Sequence, residues 1–121
     1  MIVKNFSRIN INIVLLLWTL IIFLLTLTPL PANPYTGTAH LDKMVHFLLF
    51  GIFAYIFIKS RAEEFEKRKL LIISFCVSAF FAGMIELLQN FSPGRSCDFW
   101  DFFAGAIGSV CFLAFAVYKN K

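Results

Sequence analysis

The chain has 121 residues, 60% of them hydrophobic and 15% charged, with 16 phenylalanines and a net charge of +4. Ordinary soluble domains carry about 25% charged residues, and a domain this short keeps too much of its surface wet to hide so much apolar side chain. The composition excludes a small soluble domain. The basic residues sit in short segments between apolar runs, so the positive charge gives no footing for nucleic-acid binding.

Lys4 and Arg8 precede a first apolar run, Ile11 to Leu30, interrupted by little besides Asn12, Thr19, Thr26 and Thr28. At about 1.5 Å per residue this run spans about 30 Å, the thickness of a hydrocarbon core. A cleaved signal peptide also begins basic and then apolar. This run is long for one, and no clean small-x-small site follows it, so an uncleaved first helix is expected. Pro29, Pro31 and Pro34 end it. Asp42 is placed to cap a second helix reaching Ile58, its carboxylate accepting from free first-turn amides. Residues 59–69 are the most polar stretch, with five basic residues and three acids, and read as a solvated turn. A third run covers Leu70 to Leu88. A fourth covers Phe99 to Tyr118, with Asp101 in its first turn.

These runs predict an all-α fold: an integral membrane four-helix bundle forming a single domain over residues 1–121, with helices over about 11–30, 42–58, 70–88 and 99–118. Nine of the 11 basic residues fall in the N-terminus, the 59–69 turn and the tail. Lys43 and Arg95 are the two on the other side. Basic residues accumulate on the cytoplasmic side, so both termini are expected to be cytoplasmic. The loops before Asp42 and around Arg95 then face outwards. Cys76, Cys97 and Cys111 show no paired spacing and predict neither a disulfide framework nor a thiolate metal site.

This topology gathers Asp42, Lys43, His46, Glu86, Gln89, Asn90, Arg95, Asp98 and Asp101 at the outer boundary. Charges at a membrane boundary are costly unless paired or wet, and by default they mark a functional site. Asp42 and His46 share a helix face at i, i+4. Glu86 shares one with Gln89 and Asn90, with Gly83 and Ala79 behind it. Asp101 shares one with Gly105 and Gly108. Small residues at such spacings let membrane helices approach closely. The stripes of the third and fourth helices are therefore expected to face each other and to bring Glu86 near Asp101. Ser92-Pro93-Gly94 between them is a turn signature.

The segments D-K-M-V-H-F, from Asp42 to Phe47, and E-L-L-Q-N-F-S-P-G-R-S-C-D-F-W-D-F-F-A-G-A-I-G, from Glu86 to Gly108, resemble the VanZ-like family. These are small bacterial membrane proteins named for an accessory protein of teicoplanin resistance. The family pattern is D-K-x-x-H-F, E-x-x-Q, P-G-R, D-x-x-D and N-x-x-G. Gly105 stands where the family usually has Asn, so that side chain's role is absent here or filled by Asn90. The resemblance implies a place in the bacterial inner membrane and a part in envelope maintenance or glycopeptide tolerance. It supplies no reaction.

Three uses of the cluster follow. As a hydrolase or transferase acting on a lipid-linked or cell-wall headgroup, His46 would be the general acid/base, oriented by Asp42. Glu86 or Asp101 would be a second acid/base, and Arg95, Gln89, Asp98, Lys43 and Asn90 would hold the substrate. As a binding site, the same residues would recognise an envelope component or a glycopeptide, with Phe91, Phe99 and Trp100 as an aromatic rim. As pure structure, Glu86, Arg95, Asp98 and Asp101 would be an ion-pair network fixing two helices. A zinc site on Asp42, His46 and a carboxylate lacks the H-E-x-x-H spacing; no metal or other cofactor is expected. Expected partners are membrane lipid and an envelope or glycopeptide ligand.

Overall fold

A computed structural model of the chain describes residues 2–28, 38–94 and 97–119. They form four helices: α1 (Ile2–Leu27), α2 (Thr38–Ser60), α3 (Lys67–Gln89) and α4 (Phe99–Lys119). There is no strand among the described residues, and each helix is long and apolar enough to cross a membrane. The protein is a multi-pass all-α membrane protein.

The first three helices begin earlier than the apolar runs, because hydropathy marks the hydrocarbon crossing while backbone hydrogen bonds continue into the interface. One consequence corrects an expectation. Asp42 is not the N-cap of α2; it lies one turn inside a helix that begins at Thr38. α1 stops at Leu27, two residues before Pro29, in keeping with the clash between a proline ring and a preceding α-helical residue. Pro29, Pro31 and Pro34 themselves lie outside the described residues.

α2 is the central element. It packs against α1, α3 and α4, whereas α1 and α4 do not touch among the described residues. Phe50 and Ala54 of α2 are fully buried. Phe50 forms a core with Ile22, Leu49, Phe53, Ala82 and Ile85 and meets Phe81 edge-on at 5.5 Å. α4 passes directly against the backbone of α2 at Gly108. A Cβ there would collide with the Phe47 carbonyl oxygen and lie 2.8 Å from the carbonyl carbon. Only glycine allows that approach.

This crossing corrects the expected pairing of small-residue stripes. Gly108 faces α2, and Gly105 lies between Phe50 of α2 and Ala82 of α3. The buried face of α3 is Leu70, Ser74, Ser78, Ala82, Ile85, Glu86 and Gln89; Ala79 and Gly83 lie to one side, half-buried. Residues four apart, from Ser74 through Ser78 and Ala82 to Glu86, stack into one stripe. The Ser78 hydroxyl lies 2.6 Å from that of Ser109 and 3.1 Å from the Phe50 carbonyl. Ser109 also reaches the Gly105 carbonyl at 2.9 Å. Away from water these hydroxyls have only each other and backbone carbonyls to bond, so they tie α2, α3 and α4 together.

α1 lies at the edge, with Leu16, Leu17, Leu20 and Leu24 exposed on the surface that lipid covers. Trp18 Nε1–H donates to the Leu49 carbonyl at 2.9 Å. At one end of the bundle Arg8 pairs with Glu63 at 3.1 Å, so the N-terminal end of α1 and the α2–α3 turn lie together. The pair is exposed and adds little stability.

Candidate functional site

The opposite end of the bundle holds the polar residues. α3 carries Glu86 one turn before its C-terminus. The chain then turns through Ser92, Pro93 and Gly94, with Gly94 at φ 77°, the left-handed region that glycine enters without penalty. Two side chains of α3 and its end fasten the returning chain. The Asn90 Oδ1 accepts the Cys97 N–H at 2.8 Å, and the Glu86 Oε2 accepts the Asp98 N–H at 3.0 Å. Asp98 caps α4, its Oδ1 accepting the Trp100 N–H at 2.9 Å. That hydrogen bond, aided by Lys43, holds the Asp98 carboxyl below the usual carboxylate range.

Lys43 reaches across from α2 to Asp98 Oδ2 at 3.2 Å and Asp101 Oδ1 at 3.4 Å. One turn deeper on α2 lies His46. Its Nδ1 bonds the Asp42 backbone carbonyl at 2.9 Å, and its Nε2 comes within 2.8 Å of Glu86 Oε1. The atoms are close but poorly aligned: His46 Nε2, Glu86 Oε1 and Asp101 Oδ1 each lack a well-formed hydrogen bond. The three residues are only 2%, 3% and 6% exposed. One donor atom from each lies within 4.8 Å of the others. A buried imidazole beside two buried carboxylates can relay a proton, hold a cation, or bind the polar group of a ligand.

Glu86 and Asp101 thus converge as the helix faces predicted. Three further expectations change. The partner of His46 on its own helix is the Asp42 backbone carbonyl, not the Asp42 carboxylate, because a side chain one turn on lies directly over that carbonyl. Gln89 is buried and turned to the other side, its Nε2–H donating to the Thr26 carbonyl at 2.9 Å. Together with Ser92, whose hydroxyl donates to the Leu27 carbonyl at 2.7 Å, it satisfies the open C-terminal end of α1. Asn90 is exposed and engaged in the turn, so it does not stand in for the family Asn at position 105. Phe50 fills that space: a Cβ on Gly105 would lie 3.0 Å from its ring and 3.3 Å from the Ala82 Cβ. Arg95 lies outside the described residues.

Phe91, Phe99 and Trp100 are exposed around the α3–α4 turn, where aromatic rings suit a membrane–water interface. A concavity lies elsewhere. It is an apolar groove between α3 and α4 lined by Leu71, Phe75, Leu113, Val117 and Tyr118, towards the opposite end of the bundle. Lacking convergent polar groups, it is not the chemical site.

The buried Ser78–Ser109 pair was not anticipated from sequence, although the spacing of Ser74, Ser78 and Ala82 carries the signal. The Gln89–Thr26 tie could not be anticipated, since its two residues lie far apart in the chain.

No curated protein matches the chain, and no solved structure does. The model of the VanZ/LLP1 family matches residues 3–120, nearly the whole length. With Lys43 and His46 of D-K-x-x-H-F and Glu86 of E-x-x-Q meeting at one polar centre, the chain belongs to the VanZ-like family.

Proposed function

We propose that this protein acts in the bacterial inner membrane, in cell-envelope maintenance or tolerance to teicoplanin-type glycopeptides, through the polar centre at its extracytoplasmic end. The observation that carries the proposal is the convergence of His46, Glu86 and Asp101 from three helices into one buried cluster with unsatisfied polar atoms. A cluster serving only to join helices would satisfy its own hydrogen bonds, as the Ser78–Ser109 pair does. Buried polar atoms lacking aligned partners are costly, and their persistence favours a site that acquires a partner.

The orientation rests on charge. The basic residues cluster at the Arg8–Glu63 end, and the positive-inside rule assigns that end to the cytoplasm. The polar centre then opens towards the outer leaflet, where envelope precursors expose their headgroups. Lys43 borders the centre, and its ammonium would meet an anionic headgroup first.

The His46–Glu86 contact favours a second form of the same reading, a hydrolase or transferase in which this pair moves the proton. A lipid and muropeptide profile of cells with and without the protein, beside a Glu86→Gln strain, tests both. A product that appears only with the intact centre identifies an enzyme. An unchanged profile with altered teicoplanin susceptibility identifies recognition without turnover. A Glu86→Gln strain matching wild type in both respects rejects the site.

A further inference from the structure

The His46–Glu86 contact poses an electrostatic problem. The Asp42 carbonyl can only accept, so His46 Nδ1 carries the proton and donates to it at 2.9 Å. In the neutral imidazole Nε2 is then a bare lone pair. It lies 2.8 Å from Glu86 Oε1, a second lone-pair atom, without hydrogen-bond alignment. Asp101 Oδ1 completes the set; Lys43 Nζ stands 3.4 Å from it, again without a formed hydrogen bond. Around His46 the described ionisable side chains in reach are the carboxyl groups of Glu86, Asp98 and Asp101 and a single ammonium, that of Lys43, so acidic groups outnumber basic ones. A proton on Nε2 would answer the His46–Glu86 contact and leave Asp101 Oδ1 as it is. A dication answers all three.

We infer that His46 Nε2, Glu86 Oε1 and Asp101 Oδ1 form a binding site for a first-row divalent metal ion of the zinc or manganese type. The inference rests on the reading of this cluster as the functional centre and names what occupies it. The donor set suits the assignment. One imidazole with two carboxylates prefers transition ions to magnesium or calcium, and three protein donors leave a position open for water or a headgroup oxygen. Donors on one zinc lie about 3.4 Å apart, so atoms now within 4.8 Å of one another close on an ion by shifts of about 1 Å. The supporting bonds are those that orient metal ligands generally. Nδ1–H on the Asp42 carbonyl fixes the imidazole tautomer, and the Asp98 N–H on Glu86 Oε2 turns Oε1 towards the centre. The ion would join α2, α3 and α4 at one point.

The test uses the full chain, purified in detergent without a polyhistidine tag. Metal content is measured by mass spectrometry, followed by titration of the chelator-stripped protein with zinc, manganese and cobalt. Wild type is expected to carry or take up about one ion per chain and to melt higher when reloaded, by mass action. Bound cobalt should give the visible absorption of an imidazole–carboxylate site. His46→Gln, Glu86→Gln and Asp101→Asn should each weaken binding at least about 100-fold, more than loss of an outer-sphere partner does. Glu63→Gln, at the other end of the bundle, should bind as wild type. Circular dichroism and a monodisperse elution profile establish that each variant is folded. Wild type that binds no ion after stripping, or folded variants that bind as well as wild type, overturns the metal site. If wild type binds no ion while Glu86→Gln still loses the envelope phenotype, the metal fails and the functional centre stands. If the ion binds as described while Glu86→Gln keeps the phenotype, the functional reading fails and the metal site stands.

Discussion

Replacing Gly108 by alanine puts a methyl group where α4 crosses α2. The new carbon would lie 2.8 Å from the Phe47 carbonyl carbon and 2.9 Å from its Cα. Carbon atoms settle at about 3.5 Å or more, so the helices must separate by at least about 0.7 Å. The neighbour is backbone and cannot rotate aside. Overpacking of this kind costs about 1–3 kcal/mol. The functional effect should exceed the stability effect. Lys43 and His46 ride on α2, Asp98 and Asp101 lie on or just before α4, and Lys43 bridges the gap at 3.2 and 3.4 Å. Misplacing such groups by about 1 Å costs up to about 100-fold in a function that depends on their geometry. Unfolding in mixed detergent–SDS micelles reads the first quantity, and glycopeptide susceptibility at matched membrane level reads the second. A Gly108→Ala protein with wild-type stability and function would refute the close crossing, and with it the placement of Lys43 and His46 against Asp101.

Other perturbations separate the centre from its scaffold. Ser78→Ala should destabilise the protein by about 0.6 kcal/mol, the average for hydrogen bonds between membrane helices, and leave the function intact; an unfolding series checks this. Gln89→Ala should loosen α1 by removing its bond to the Thr26 carbonyl, at a cost of about 1 kcal/mol, read as faster proteolysis of the α1–α2 connection in detergent. Asp98→Ala should cost about 1 kcal/mol through the lost cap. Since the Asp98 carboxyl sits below its ordinary value of 3.8 when folded, its stabilising contribution is complete above that value and fades as pH falls through and below it. Unfolding midpoints of wild type and Asp98→Asn should therefore converge only below about pH 4. For topology, Cys97, exposed before α4, should react with a membrane-impermeant maleimide in intact spheroplasts once Cys76 and Cys111 are serine; protection until lysis would reverse the orientation.

The apolar runs gave four helices and their order, because a bilayer demands length and hydrophobicity that a sequence cannot conceal. They did not give the ends. Thr38 to Asp42 and Lys67 to Lys69 are polar, yet backbone hydrogen bonding extends through them at the interface, and the Asp42 cap was misplaced for that reason. The meeting of Glu86 and Asp101 was legible because a short turn forces α3 and α4 to be antiparallel neighbours. Which small residues face which helix was not. Gly83 and Ala79 fit a stripe at spacings of three and seven, whereas the buried face follows the four-residue steps through Ala82, Ser78 and Ser74. Two faces of one helix differ by a rotation that only packing against a third element decides, here the insertion of Phe50. The same ring explains why glycine replaces asparagine at position 105, a departure that sequence could register but not explain.

The central claim is that the His46–Glu86–Asp101 cluster serves function rather than packing. The most direct test is Glu86→Gln, with stability and function measured on the same preparations. Glutamine keeps an acceptor for the Asp98 N–H and nearly the volume of glutamate, so the helix packing around position 86 is retained. Expected is a variant that inserts, folds and unfolds close to the midpoint of chelator-stripped wild type, while its envelope phenotype is lost. A variant destabilised by about 3–5 kcal/mol, as when a structural buried pair is broken, with function falling only in step with protein level, would contradict the claim.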